Sequence, residues 1–304
     1  MSYTDVILNY LLDAKLNKRS FMTPKVLERT AKAEPFLKWA GGKGQLLKSF
    51  VNYFPDKFNN FIEPFIGGGA VFFYLYSNGF LHDKKSIILD SNKELINAYK
   101  VIKNHKELEI IIKALSNGKY LNNEENFYKI REEEPMTAAG RAARLIYLNK
   151  TCFNGLYRVN SKGKYNVPFG RYNNPTICDS ENLRAVNKSL EDVELINDDF
   201  TAVLEKAAKG DFVYFDPPYQ PVSKTASFTA YTKDSFTEKD QERLAQVYRT
   251  LDKRGCKLML SNSDAKIIRD LFKGYRIETV KAKRMINCKG AKRGVVNELV
   301  ILNY

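Results

Sequence analysis

From Phe61 onward, short apolar runs alternate with amphipathic stretches, and no other feature of the chain restricts its fold as much. Phe61-Ile62-Glu63-Pro64-Phe65 reads as a strand running into Gly67-Gly68-Gly69, and a helix opens over Ala70 to Ser77. Ile87-Ile88-Leu89-Asp90 reads as a second strand, followed by an amphipathic helix from about Asn92 to Ile102. Further strands are expected at Val193 to Ile196, Phe212 to Phe215, Lys257 to Leu260, Tyr275 to Val280 and Val295 to Leu302. Helical patterns at about 201–208, 237–253 and 264–272 separate most of them. Strands and helices in alternation predict an α/β fold with a doubly wound, mostly parallel sheet.

The middle of the chain breaks that rhythm. Residues from about 103 to 150 read as successive helices, the last over Ala138 to Asn149. Between Tyr157 and Pro168, Ser161-Lys162-Gly163-Lys164 looks like the turn of a hairpin joining two short strands. This predicts a helical and hairpin domain inserted into the α/β domain. Residues 1–34 hold one short apolar helical pattern (Val6, Ile7, Tyr10, Leu11) before basic polar sequence, and read as an appendage.

The charge is uneven. Over 304 residues, 49 Lys and Arg face 35 Asp and Glu, a formal net charge of +14. From Arg141 to Cys178 there are seven basic residues and no acid; Lys281 to Asn297 holds six and no acid. Basic stretches rich in Asn, Gly and Tyr look like surfaces facing phosphates, although a charge run is often only a solvated face. No apolar run approaches the roughly 18 residues that span a bilayer, and the N-terminus has no signal-peptide pattern. The four cysteines stand far apart without a C-x-x-C pair, which argues against a zinc knuckle or disulfide framework and for a reducing cytoplasm.

Three motifs carry chemistry. Phe65-Ile66-Gly67-Gly68-Gly69 lies at a strand-to-helix turn, and Asp90 ends the next strand. Such glycines let a ligand approach the backbone, and an acid some 20 residues later suits ribose hydroxyls. The spacing departs from G-x-G-x-x-G, so a nucleoside cofactor without a pyrophosphate fits better than a dinucleotide. Asp216-Pro217-Pro218-Tyr219 follows the apolar run Phe212 to Phe215. Its prolines have no donors, so their carbonyls are expected to face outward as acceptors, beside the Asp216 carboxylate and the flat face of Tyr219. That set suits an exocyclic amino group on a planar base. In Phe36-Leu37-Lys38-Trp39-Ala40-Gly41-Gly42-Lys43, the only tryptophan is expected near an aromatic or sulfonium group and Lys43 on a carboxylate.

FLKWAGGK, EPFIGGGA, ILDSNKELI, FNGLYRVN, YNVPFGRY, DFVYFDPPY and SFTAYT occur in one order. In that order the chain from about residue 35 to 304 resembles the Dam-type adenine-N6 DNA methyltransferases, the D12 class in its α arrangement. The resemblance implies a sheet of the S-adenosylmethionine-dependent methyltransferase type, S-adenosyl-L-methionine as methyl donor, and double-stranded DNA as substrate. It implies an N-terminal extension over 1–34, a catalytic domain over 35–92 and 190–304, and a target-recognition domain over 93–189. Trp39, Lys43, Asp90 and Asp216 match cofactor-contacting residues, beside Gly67 and Gly69 of the turn. Asp199, followed by Phe200, resembles the acid that meets the cofactor's adenine amino group. Asp216, Pro217, Pro218 and Tyr219 are the expected catalytic set. Lys38, Leu156, Arg158 and Pro168 match residues that read or position the target, typically GATC, while Arg171 and Tyr172 match residues near the phosphate backbone. A cognate restriction endonuclease is a further implied partner, and a monomer or weak dimer the implied state.

The chemistry of the residues agrees with this. Adenine N6 is a weak nucleophile because its lone pair is delocalised into the ring. Acceptors on its two N–H bonds, at Asp216 and the Pro217 carbonyl, would localise that pair toward a methyl group, a task of positioning that needs no metal. A base inside a duplex must first be flipped out, with Tyr219 as the stacking platform. Methylation of cytosine N4 in DNA or of adenine in RNA, and an inactive DNA-binding module, stay open as alternatives.

Overall fold

The structure, a computed structural model, describes residues 32–39, 41–222, 236–283 and 295–304. Strands β1 (Phe61–Glu63), β2 (Ser86–Asp90), β3 (Val193–Asn197), β4 (Phe212–Phe215), β5 (Lys257–Ser263), β6 (Arg276–Lys283) and β7 (Val295–Leu302) form one sheet in the order β3-β2-β1-β4-β5-β7-β6. The first five run parallel, and β7 enters antiparallel between β5 and β6. The expected strands are all there, in a mostly parallel α/β sheet.

Side-chain alternation sorts the strands' residues onto two faces. Phe61, Ile88, Phe212, Tyr214, Met259 and Val300 enter one core. Ile62, Leu89, Val213, Phe215, Leu260 and Ile301 enter the other. Both faces are covered, so the central strands read as continuous apolar runs. The first core takes α1 (Leu47–Phe50), α2 (Ala70–Ser77), α3 (Lys93–Lys103), α4 (His105–Ser116), α5 (Glu124–Glu132), α6 (Ala138–Thr151) and α7 (Ser180–Ser189). The second takes α8 (Val203–Lys206), α9 (Glu238–Arg254) and α10 (Lys266–Leu271).

Local signals account for the helix ends. The Asn92 side chain accepts from the Glu94 and Leu95 N–H groups at the start of α3, and Asn104 does the same for Lys106 and Glu107 in α4. Thr237 and Asp240 form a capping box on α9, which ends at the left-handed Gly255. The segment expected to be helical over 201–208 is a 3₁₀ turn (Phe200–Ala202) followed by the single turn of α8.

The hairpin is there with shorter arms than expected. Instead of two short strands, the described residues show isolated bridges, Val159 with Tyr165 and Cys152 with Phe169. The Asn160 side chain accepts from the Lys162 and Lys164 N–H groups at 2.9 and 3.0 Å, and Pro168 has no donor. Backbone bonds from the Asn160 N–H to Lys164 at 2.8 Å and from the Asn166 N–H to Arg158 at 3.0 Å still join the two arms, so the hairpin turn is present and only its strands are shorter than expected. No helix of the described residues is long and apolar enough to cross a membrane. The helical pattern around Val6 to Leu11, the SFTAYT motif and Arg284 to Arg293 of the second basic stretch lie outside the described residues.

Candidate active site

The strand order reverses at β1, whose neighbours are β2 on one side and β4 on the other. In open parallel sheets, ligands sit in the crevice at the carboxyl ends of strands flanking such a point. The singled-out residues arrive there in turn: Gly67 to Gly69 after β1, Asp90 ending β2, Asp199 after β3, and Asp216 after β4.

Asp216 is held on one oxygen. The Lys43 ammonium lies 2.7 Å from its Oδ1, and the Ser261 hydroxyl donates to the same atom at 2.9 Å. Lys43 is itself buried and also donates to the Gly41 carbonyl at 2.7 Å. Lys43 is expected on a carboxylate, and the carboxylate it meets is that of Asp216. With the Ser261 proton committed to the carboxylate, the Tyr214 hydroxyl 2.9 Å away is the donor to Ser261, and a relay runs from the buried Tyr214 and Ser261 to the part-buried Asp216. The Lys43 ammonium lies 4.7 Å from the centre of the Tyr219 ring, and the Tyr219 hydroxyl donates to Glu298 at 2.8 Å. One expectation about the prolines is overturned: the Pro218 carbonyl turns inward and accepts from Gln241 at 3.0 Å. Gln241 is buried, and its Oε1 accepts from Asn262, whose own Oδ1 takes the Gln220 N–H, so α9 and β5 fix the loop from behind. The Pro217 carbonyl meets no donor among the described residues.

Glu63, at the end of β1, accepts the Phe72 N–H at 3.1 Å from the first turn of α2. Burial pushes its carboxyl well above the ordinary range, and the Asp216 charge pushes it further.

On the β1–β3 side the glycine turn is shaped by its neighbours. Gly67 has φ +46°, and a Cβ there would stand 2.8 Å from Cδ1 of Trp39, so this residue admits no side chain. Trp39 lies over the turn and stacks on Tyr157, ring centres 5.6 Å apart at 22°. Asp90 accepts the Gly67 N–H on Oδ2 at 3.2 Å and the Asn92 N–H on Oδ1 at 2.9 Å. Burial raises its pKa, and these two donors oppose the rise. Asp199 caps the 3₁₀ turn: its Oδ1 accepts from the Thr201 N–H and hydroxyl and from Arg243 at 2.9 Å. The buried Phe200 stacks on Phe65 at 5.3 Å and 25°, with Phe236 beside both. Gly69 begins α2. The crevice therefore offers a carboxylate, a flat aromatic wall and a tight glycine turn on one side, and an anchored acceptor loop on the other.

The chain matches the D12 class N6 adenine-specific DNA methyltransferase family over residues 39–286. It belongs to that family. It is 48% identical over 290 residues to the type II methyltransferase M.MjaIII of Methanocaldococcus jannaschii, covering 89% of this chain and 99% of the relative. It is 41% identical over 278 residues to the type II methyltransferase M1.LlaDCHI of Lactococcus lactis, covering 89% and 95%. It is 34% identical over 273 residues to the DNA adenine methylase of Escherichia coli, covering 89% and 95%. The protein is thus an adenine-N6 DNA methyltransferase, which leaves cytosine N4, RNA and an inactive binding module behind.

The expected DNA-facing residues of the methyltransferase gather around the segment between Cys152 and Tyr172. The Lys38 ammonium lies 4.3 Å from the centre of the Tyr172 ring, and the Tyr172 hydroxyl accepts the Asn154 N–H at 2.9 Å. Arg158 donates to the Asn166 side chain at 2.6 Å and to its carbonyl at 3.0 Å, so the guanidinium is braced across the turn. Leu156 is half-buried, and the exposed Pro168 accepts the Phe153 N–H through its carbonyl. Arg171 is exposed, with φ +53° and a long 3.4 Å contact to Glu124. Sequence reasoning passed over Ser261, Gln241 and Asn149, whose partners are distant in sequence.

Proposed function

We propose that the methyltransferase transfers a methyl group from S-adenosyl-L-methionine to N6 of adenine in duplex GATC, with the target base flipped into the crevice. The observation that carries this reading is the anchoring of Asp216: Lys43 and Ser261 both hold Oδ1, which leaves Oδ2 to accept an amino hydrogen. The Pro217 carbonyl is the second acceptor, and Tyr219, its hydroxyl tied to Glu298, supports the ring. Two acceptors on the N6 hydrogens turn its lone pair out of conjugation, and a pre-set geometry supplies most of what an in-line displacement needs.

The donor set fits a nucleoside. Each Asp90 oxygen holds one backbone donor and keeps a lone pair for a ribose hydroxyl, and Phe65, Phe200 and Phe236 give a flat wall. Asp199 Oδ2 is the oxygen left for an adenine amino group. When bound, the sulfonium group supplies an electrophilic methyl and a good leaving group. The likeness to Dam-type enzymes supports GATC, with Lys38, Leu156, Arg158 and Pro168 reading the site and Arg171 and Tyr172 near phosphate. Residues 93–189 would then be the recognition domain, and a restriction endonuclease a partner of the system.

Incubation with labelled donor and duplexes that differ at one base pair, followed by nucleoside analysis, tests this reading. N6-methyladenine confined to GATC is expected. Equal label in a changed site would overturn the target, and no transfer from S-adenosylmethionine would overturn the donor.

A further inference from the structure

Two segments distant in sequence, around Lys38 and from Asn149 to Gly155, meet at one buried carboxamide. Asn149, near the end of α6, is 1% exposed. Its Oδ1 accepts the Lys38 N–H at 2.7 Å, and its Nδ2 donates to the Lys38 carbonyl at 2.7 Å, so the side chain pairs with one residue as a neighbouring strand would. The same Nδ2 donates to the Gly155 carbonyl at 2.9 Å. A planar amide offers one acceptor oxygen and two N–H bonds in fixed directions, and here all of them are used.

Close packing makes the joint stiff. Gly155 has φ +61°, and a Cβ on it would stand 2.5 Å from the Lys38 Cβ. Lys38 is followed directly by Trp39, stacked on Tyr157 and lying over the Gly67 turn, and the same strap reaches Asp216 through Lys43. Gly155 is followed by Leu156, Tyr157 and Arg158. The clamp therefore lies between the residues that form the crevice and those facing DNA.

We propose that Asn149 is a positioning residue that couples the two surfaces. By holding Lys38 to Gly155 it makes the pose of Trp39 and Lys43 depend on the pose of Leu156 to Arg158. DNA on one surface and the nucleoside cofactor in the other each strengthen the binding of the other, by one reciprocal factor. The inference rests on the proposed function only in taking the two surfaces as the cofactor and DNA sites. Asn149→Asp keeps the size of the side chain but sets a carboxylate oxygen against the Lys38 and Gly155 carbonyls, so the clamp opens.

Trp39 is the only tryptophan, so its fluorescence reports on the joint. The full chain is titrated with S-adenosylhomocysteine, alone and with a saturating duplex that carries the methylated site, by Trp39 emission and by calorimetry. The dissociation constant of the parent protein is expected to fall at least about fivefold when the duplex is present, the low end of ordinary coupling. In Asn149→Asp that ratio should drop below about twofold, while affinity for S-adenosylhomocysteine alone stays within about threefold. Asn149→Ala removes the amide without adding a charge and takes over the test should Asn149→Asp fail to fold. An unchanged ratio in the variant, a parent ratio of one, or equal loss of both affinities with the ratio preserved would each overturn the coupling role. Methyl transfer by the parent without coupling sinks this inference alone; a parent that binds no S-adenosylhomocysteine sinks the proposed donor and this inference together.

Discussion

Asp216 receives both of its supports on a single oxygen, and that asymmetry makes the residue testable. Asp216→Ala is expected to abolish methyl transfer almost completely while duplex binding persists, since the basic segment over 141–178 is untouched; turnover and DNA binding are measured on the same preparation. Ser261→Ala removes only one support. It should lower kcat by about ten- to a hundredfold and leave KM for DNA nearly unchanged, because a carboxylate free to swing is a misplaced acceptor. Glu63 supplies a different prediction. Its folded pKa lies well above the ordinary 4.5, so the folded chain keeps a proton that the unfolded chain gives up. Stability then declines as pH climbs from the unfolded value toward the folded one. Glu63→Gln keeps an oxygen for the Phe72 N–H and removes the titration. Relative to the parent it should gain stability as pH climbs above the ordinary 4.5, by at most about 1.4 kcal/mol per pH unit. Thermal unfolding of both proteins across that range decides, and parallel profiles would mean that Glu63 is already ionised.

At the scale of elements, what was legible in the sequence was whatever local pattern controls. Every strand of the sheet lies on an expected apolar run, most of them separated by helical patterns, and the carboxyl ends of β1, β2 and β4 carry the residues the motifs singled out. Less legible was anything decided by partners far along the chain. The inward turn of the Pro218 carbonyl depends on Gln241, the single-sided hold on Asp216 depends on Ser261, and the Lys38 strap depends on Asn149. No spacing rule joins Lys38 to Asn149. The hairpin turn lies where Ser161 to Lys164 stood, but its arms pair at a single bridge beside it, because the Asn160 side chain takes the Lys162 and Lys164 N–H groups. That turn also separates two arginines. Braced by Asn166, Arg158 is suited to a fixed, two-pronged contact with a guanine edge, whereas Arg171 stands exposed. Arg158→Ala should cost roughly 1–3 kcal/mol of discrimination at one base pair, and Arg171→Ala should weaken cognate and non-cognate duplexes alike. Methylation rates on GATC and its single-base variants separate the two; uniform slowing by Arg158→Ala would assign it to phosphate.

For the whole molecule, a net charge of +14 gathers partly in a stretch from Arg141 to Cys178 that has no acid. Duplex affinity should therefore fall steeply with salt. Each neutralised phosphate contributes about −0.9 to the slope of log K against log salt, so three or more contacts give a slope steeper than about −2.7. Binding isotherms across a salt series measure it, and a flat response would mean that the charge serves something other than phosphate. The strand order also sets a timetable. The junction of β1 with β4 joins residues 151 apart, as in the hydrogen bond from Asn60 to Asp211, and β7 fits between β5 and β6 although it is the last strand to emerge. At about 5–20 residues per second, a ribosome that has released β1 needs roughly 8–30 s to deliver its neighbour. Through that interval the Gly67 turn exists without Asp216, and the interior of the sheet stays open until β7 arrives. A chain halted before β4 lacks Asp216 to Tyr219 and holds only the glycine-turn half of the crevice.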